Sequence, residues 1–126
     1  MYSVKVQDTF CGAHFLRNYK GKCEKLHGHN WKVEVEVFSQ QLNNEEMVMD
    51  FSLLKKILQG ILLRYDHSVL NELEEFKVLS PTSENIASLI LQKIEEKIKR
   101  YKNILKIKVS VWEQEDSCAS IEKSIR

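Results

Sequence analysis

The chain opens with two stretches in which apolar and polar residues alternate, the period-two pattern of half-buried strands. In the first stretch the even positions Tyr2, Val4, Val6, Phe10 and Leu16 are apolar, and in the second the odd positions Trp31, Val33, Val35 and Val37 are apolar. His14 has the apolar parity of the first stretch, and His27 and His29 have that of the second if this strand already begins at His27. The pattern therefore predicts two neighbouring strands that place three histidines on the same side as the apolar residues.

Apolar residues next recur at intervals of three and four, which indicates two amphipathic helices. Asp50 is the predicted N-cap of the first helix, which we expect to run from Phe51 to about Tyr65. The second helix should begin after the only proline, with Ser80 or Thr82 as its cap and Glu84 in its first turn.

Alternation returns towards the carboxyl end of the chain. Leu105–Val111 has a clear strand pattern, and Cys118–Ile125 has a weaker one. The element order is thus ββααββ, with no repeat, low-complexity tract or linker between elements. We expect one α+β domain over residues 1–126, an antiparallel sheet with two helices packed on one face.

Composition narrows the class of protein. The 126 residues carry 19 basic and 18 acidic side chains, scattered along the chain, so no basic face for nucleic acid is expected. No apolar run approaches the ~20 residues of a membrane span, and the first ten residues lack the features of a signal peptide. The three cysteines are too few for a disulfide framework. We therefore expect a cytoplasmic protein.

The histidines carry the clearest chemical signal, since three of the only four lie within residues 14–29. In His27-Gly28-His29, residues two apart on a strand project to one face and can reach one point. His14 from the neighbouring strand would complete a three-nitrogen site with one open position, the arrangement of a catalytic zinc. An isolated pair of histidines would instead suggest ordinary core or polar residues.

Two further groups have acid–base potential. Cys23 lies in the loop before His27, where its thiol could serve as a general base or nucleophile beside a metal, although a lone loop cysteine is usually inert. Asp66 precedes His67 directly, and such a carboxylate can fix one tautomer of the imidazole. A helix-end aspartate beside a surface histidine explains that pair equally well.

Polar residues near the carboxyl half offer ligand contacts. Glu113 continues the apolar phase of the third strand, so it lies at the solvent end of the strand or binds a partner, such as adjacent N–H donors on a flat heterocycle. Thr82, Ser83 and Glu84 either cap the second helix or contact a ligand.

Several motifs occur in a distinctive order: FCGAHFL, CEKLHGHNW, MDF, DHSVLN, PTSEN and VSVWE. Together they resemble the 6-pyruvoyl tetrahydropterin synthase superfamily, and most closely its bacterial branch, the 6-carboxy-tetrahydropterin synthases of the queuosine pathway. The resemblance extends from Phe10 to at least Glu113.

The resemblance implies a tunnelling fold, in which ββααββ units assemble into a trimeric barrel, usually paired into a hexamer, with active sites between subunits. It also implies a zinc ion bound by His14, His27 and His29. The remaining roles that it implies are a proton acceptor (Cys23), a proton relay (Asp66 and His67), a pterin anchor (Glu113) and further pterin contacts (Thr82, Ser83 and Glu84).

The implied reaction is that of a lyase, which converts 7,8-dihydroneopterin triphosphate into 6-carboxy-5,6,7,8-tetrahydropterin with loss of acetaldehyde and triphosphate. Glu24 directly follows Cys23, and a chain with both residues resembles a bifunctional subgroup. Cleavage of the side chain to 6-hydroxymethyl-dihydropterin, for folate synthesis, is therefore an alternative in which Glu24 is the acid–base group. A 6-pyruvoyl-tetrahydropterin synthase is disfavoured by the short segment between Cys23 and His27. A non-catalytic pterin- or purine-binding module is the remaining hypothesis.

Overall fold

The two alternating stretches form the longest strands of the fold, paired antiparallel along their whole length. In the computed structural model, which describes residues 1–126, strand β1 spans Tyr2–His14 and strand β2 spans His27–Ser39. Their register runs from Tyr2 opposite Ser39 to His14 opposite His27. The two strands thus end together, with the histidines at the shared end.

The other elements follow the predicted order. Helix α1 (Phe51–Leu62), a two-residue strand β3 (Ser68–Val69) and helix α2 (Ser83–Ile98) precede strands β4 (Lys106–Gln114) and β5 (Ser117–Ser124). The sheet has the order β3-β1-β2-β4-β5, and both helices pack against it. The α+β prediction is confirmed. None of the helices combines the length and the apolar character needed to cross a membrane.

The core lies between the sheet and the helices. Trp31, Val33, Val35 and Val37 of β2 are completely buried, because the period of two aims all four at the helices. Removing each of these valines from water contributes about 1.5–3 kcal/mol. The alternate residues of β2 are polar or partly exposed, so one face of the sheet packs the core and the other does not.

The helix caps agree with the sequence prediction. The Asp50 carboxylate accepts the amide of Ser52 at 2.8 Å, and the Thr82 hydroxyl accepts the amide of Asn85 at 3.1 Å. Thr82, not Ser80, is therefore the cap of α2. The Ser80 hydroxyl instead accepts the backbone amide of Arg17, at 3.1 Å.

Three predicted boundaries were wrong. Strand β1 ends at His14 instead of Leu16, β4 begins at Lys106 instead of Leu105, and α1 ends at Leu62 instead of Tyr65. Tyr65 is nevertheless completely buried, which is why the helical apolar pattern continued past the end of the helix.

The reason for the early end of α1 is that the chain returns to the sheet. The amide of His67 donates to the carbonyl of Cys11, and β3 then pairs in parallel with Gly12 and Ala13 of β1. This short pairing carries no hydrophobic signature, so the sequence pattern did not predict it. It brings the residues that follow α1 to the edge of β1.

A charged cluster holds the end of α1 against the rest of the helical layer. Arg64 donates twice to the Glu75 carboxylate, from Nε at 2.7 Å and from Nη2 at 2.6 Å, and Lys93 of α2 lies 3.6 Å from the same group. These hydrogen bonds from Arg64 lower the pKa of Glu75 from 4.5 to about 2. Two parallel N–H···O bonds also fix the geometry of the pair.

We predict that Glu75→Gln lowers the free energy of unfolding by about 1–2 kcal/mol near neutral pH, because Arg64 loses its charged partner. The pKa of Glu75 is lower in the folded protein than in the unfolded chain. The extra stability of the wild type over the variant is therefore complete above pH 4.5 and disappears as the pH falls towards about 2. Urea unfolding between pH 2 and 7 measures the difference. Exposed Glu74 offers the control Glu74→Gln, and equal losses in the two variants would contradict the prediction.

Candidate metal and pterin site

The register of β1 and β2 assembles the histidine cluster. His14 lies opposite His27, and His29 lies opposite Gly12, so all three imidazoles share one face at the end of the strand pair. The ring centroids of His14 are 4.7 Å from His27 and 5.3 Å from His29, and those of His27 and His29 are 4.8 Å apart. The prediction that the three rings converge is confirmed.

Backbone carbonyls fix two of the rings. Nδ1 of His14 lies 2.8 Å from the carbonyl oxygen of Pro81, and Nδ1 of His27 lies 2.8 Å from that of Lys25. A carbonyl only accepts, so each Nδ1 carries the proton and each Nε2 of these neutral rings holds a lone pair. Metal-bound histidines have this arrangement, with the second nitrogen held by a carbonyl or a carboxylate.

Trp31 packs against the histidine cluster from the side of the hydrophobic core. Its ring meets those of His14 and His29 edge-on, at centroid distances of 4.9 and 5.2 Å. The indole N–H donates to the carbonyl of Gly12 at 3.0 Å, which satisfies the only polar atom of this buried side chain. His14 and His29 therefore pack against a buried indole ring whose orientation is fixed by a hydrogen bond.

Glu113 joins the three histidines. One Glu113 oxygen lies 2.7 Å from Nε2 of His29 and 3.3 Å from Nε2 of His14. The four ligating atoms all lie within 4.8 Å of one another. Burial lowers the pKa of His29, opposed by the Glu113 carboxylate, and the neutral form that results is the form that binds metals.

These donors fit a transition metal. Imidazole nitrogen with a carboxylate oxygen suits zinc, iron, copper and nickel more than magnesium or calcium, which prefer oxygen alone. Nε2 of His14 and Nε2 of His29 are buried without a hydrogen-bond partner. A bound cation would satisfy both atoms, which otherwise carry the cost of unpaired buried polar groups.

The side chains of Asp66 and His67 form a close acid–base pair at the edge of β1. Asp66 lies 3.0 Å from Nδ1 of His67, and its other oxygen accepts the amide of Cys11 at 2.9 Å. That backbone hydrogen bond is the main reason why the pKa of Asp66 is lowered. The imidazole is 80% exposed, and His67 and His29 line the same surface depression. The exposed ring is thus free to exchange protons with a ligand.

Cys23 and Glu24 lie in the loop between β1 and β2 but differ in environment. The Cys23 thiol is free and exposed, and it is not among the four groups that converge. Glu24 is half-buried, and its carboxylate accepts the amide of Leu16 at 3.0 Å. The amide of Glu24 in turn donates to the carbonyl of Leu16. Glu24 therefore closes the base of the loop that presents Cys23, a contact that sequence reasoning missed.

The predicted pterin contacts gather beside the histidines. Ser83, Glu84 and Glu113 line one small pocket, together with Ser117, Cys118 and Ala119 at the start of β5. Thr82 does not line this pocket, and its hydroxyl caps α2. Cys118 was not among the candidates from the sequence, since nothing in a weak strand pattern indicates which residues border a pocket.

Sequence reasoning also missed the part that Cys11 plays. Its amide and carbonyl bind Asp66 and His67 respectively, and its thiol lies 3.0 Å from the Asn30 side-chain oxygen. Backbone contacts of this kind leave no trace in residue type. Cys11 thus connects the strand of His14 with the Asp66–His67 pair.

Comparisons with related sequences, with solved structures and with family models all indicate one family. The chain is 39% identical over 120 residues to a putative 6-carboxy-5,6,7,8-tetrahydropterin synthase of Archaeoglobus fulgidus, covering 95% of each chain. It is 40% identical over 101 residues to the 6-carboxy-5,6,7,8-tetrahydropterin synthase of Synechocystis, covering 76% of this chain and 77% of the relative.

Solved structures share the fold. The 6-pyruvoyl tetrahydropterin synthase of Plasmodium falciparum superposes with a TM-score of 0.84 over 98% of both chains, at 24% identity. That of Caenorhabditis elegans superposes with a TM-score of 0.79 over 98% of this chain and 96% of its own, also at 24% identity. The model of the 6-pyruvoyl tetrahydropterin synthase family matches residues 3–124, and the chain belongs to that family.

Proposed function

We propose that the protein is a zinc-dependent lyase that converts 7,8-dihydroneopterin triphosphate and water into 6-carboxy-5,6,7,8-tetrahydropterin, acetaldehyde and triphosphate, for queuosine biosynthesis. The observation that carries the proposal is the convergence of His14, His27 and His29, in which carbonyl contacts at Nδ1 leave Nε2 of His14 and of His27 with a lone pair. The names and identities of the relatives from Archaeoglobus fulgidus and Synechocystis support the choice of product.

The three histidines would hold the zinc ion, and Pro81 and Lys25 would keep two of them in the binding tautomer. When bound, zinc supplies a Lewis acid that polarises the hydroxyls of the substrate side chain and lowers the pKa of the adjacent O–H and C–H groups. Ser83, Glu84 and Glu113 line the neighbouring pocket, where a carboxylate can accept two N–H bonds from a pterin ring.

The residues that would transfer protons are Asp66, His67 and Cys23. Asp66 accepts from Nδ1 of His67, so the exposed Nε2 can take up or release a proton while the carboxylate stabilises the charged ring. The Cys23 thiol is exposed and free, so it can approach substrate without breaking a contact. The Glu24 carboxylate already uses one oxygen to bind Leu16, which favours Cys23 as the acid–base group of this loop.

The second candidate function is cleavage to 6-hydroxymethyl-dihydropterin, with Glu24 as the acid–base group. The observation in its favour is that Glu24 directly follows Cys23 and is half-buried in the same loop. Both reactions could share the metal site and the Asp66–His67 pair.

We predict that zinc-loaded wild-type protein releases 6-carboxy-5,6,7,8-tetrahydropterin from dihydroneopterin triphosphate, and that Cys23→Ala forms it at least about 100-fold more slowly. Liquid chromatography with mass spectrometry identifies the product. Glu24→Gln is the matched control, because a glutamine oxygen can still accept the Leu16 amide but cannot transfer a proton. We expect Glu24→Gln to keep the activity.

The same assay discriminates between the candidate functions. Formation of 6-hydroxymethyl-dihydropterin that survives Cys23→Ala and is lost in Glu24→Gln would establish the second candidate. Formation of 6-pyruvoyl-tetrahydropterin would show that the protein is a 6-pyruvoyl-tetrahydropterin synthase. Binding of a pterin without any turnover would show that it is a non-catalytic binding module.

We predict that His27→Ala abolishes stoichiometric zinc binding, because the site loses one of its three nitrogen donors. Metal analysis after dialysis measures the content, and thermal unfolding provides a second readout, since added zinc should raise the melting temperature of the wild type but not of the variant. His67→Ala is the control, because His67 is 80% exposed and outside the cluster. Unchanged zinc content in His27→Ala would refute the assigned site.

The open edges of the sheet support assembly with further copies. Strand β1 is bordered on its outer side only at Gly12 and Ala13, and β5 is the opposite edge strand. Unpaired edges are templates for pairing with another chain. We predict a trimer or a pair of trimers, with three or six times the mass of one chain by light scattering. A monomer that turns over substrate would contradict active sites shared between subunits.

A further inference from the structure

Glu113 occupies a position that pterin anchoring alone does not explain. One of its oxygens lies within 3.3 Å of Nε2 of both His14 and His29. Both nitrogen atoms are buried, and neither makes a hydrogen bond of good geometry to the carboxylate. The 2.7 Å separation from His29 is nevertheless short enough for one, so the informative contact is the one with His14.

The tautomer of His14 makes this contact informative. Nδ1 carries the proton that is donated to Pro81, so Nε2 of the neutral ring presents a lone pair to the Glu113 oxygen. Two acceptors that face each other at 3.3 Å repel unless a cation lies between them. A metal ion satisfies both groups.

The backbone directs Glu113 to this position. The pairing of β4 with β5 shifts register between Trp112 and Gln114, which leaves Glu113 without a partner in β5. An irregularity of this kind re-aims a side chain and is frequent beside active sites. Glu113 also lines the pocket that contains Ser83 and Glu84, so the same carboxylate borders both the histidines and the candidate pterin pocket.

We propose that Glu113 is the fourth ligand of the metal in the substrate-free protein, and that a pterin ring removes it from the metal by claiming its carboxylate. The second half of this proposal rests on the proposed function, and the first half does not. One carboxylate group then serves two sites, so it would cover the open coordination position until substrate arrives. By linkage, pterin and Glu113 coordination are mutually unfavourable.

The test measures metal binding without turnover. Wild type, Glu113→Gln and Glu84→Gln are compared for Zn²⁺ affinity against a chromophoric chelator, and for the visible spectrum of the Co²⁺-substituted protein. We expect Glu113→Gln to bind Zn²⁺ at least about 10-fold more weakly and to change the Co²⁺ spectrum, since it loses an anionic ligand. Glu84→Gln is the matched control, because Glu84 lines the same pocket outside the cluster, and it should match the wild type in both measurements.

Equal affinity and an identical Co²⁺ spectrum in Glu113→Gln and wild type would overturn the assignment. Far-ultraviolet circular dichroism checks that the variant is folded, and Glu113→Ala repeats the comparison without an amide oxygen.

The displacement step has its own readout. Addition of 7,8-dihydropterin, which lacks the reacting side chain, should change the Co²⁺ spectrum of the wild type towards that of Glu113→Gln. If dihydropterin binds and the spectrum is unchanged, displacement is wrong. If dihydropterin does not bind while Glu113→Gln still weakens Zn²⁺, the result supports the fourth ligand and overturns the pterin site of the proposed function.

Discussion

The antiparallel pairing of β1 with β2 is the constraint on which the rest of the structure depends. It places His14 opposite His27 and Gly12 opposite His29, so three imidazoles from two strands meet at one end of the sheet. A slip of one residue in either strand would turn its side chains to the other face. A slip that turned β2 would also expose Trp31 and the completely buried valines of that strand, so the hydrophobic core enforces the register that the metal site requires.

Register sets the positions of the three rings, and the packing of α2 sets the orientation of one of them. The carbonyl that holds His14 belongs to Pro81, immediately before the cap of α2. The segment that leads to Pro81 is itself bound to the end of β1, because Arg17 donates to the Ser80 hydroxyl from its amide and to the Leu79 carbonyl from its side chain. The docking of α2 thus determines which nitrogen of His14 carries the proton, and with it the nitrogen that is available to a metal.

The sequence predicted the features that depend on periodicity and failed where they depend on backbone contacts. The parity of His14, His27 and His29 was enough to predict their convergence, because alternation fixes the face of a strand. The contact of Glu113 with the histidines could not be predicted in the same way, since Glu113 lies at the shift in register between Trp112 and Gln114, which residue types do not reveal. Parity correctly placed Glu113 at the end of the apolar phase, and only the structure brings it against the histidines.

The Asp66–His67 pair shows why β1 has two roles. His67 adopts a left-handed backbone conformation, with φ of 57°, which costs a histidine about 1–3 kcal/mol in free energy. The compensation comes from Cys11, whose amide binds the Asp66 carboxylate and whose carbonyl accepts the amide of His67. The side chain of His14 thus faces the metal site, while the outer backbone edge of the same strand holds the proton-transfer pair. A displacement of β1 would therefore move both groups together, because Cys11 and His14 lie three positions apart on the same strand.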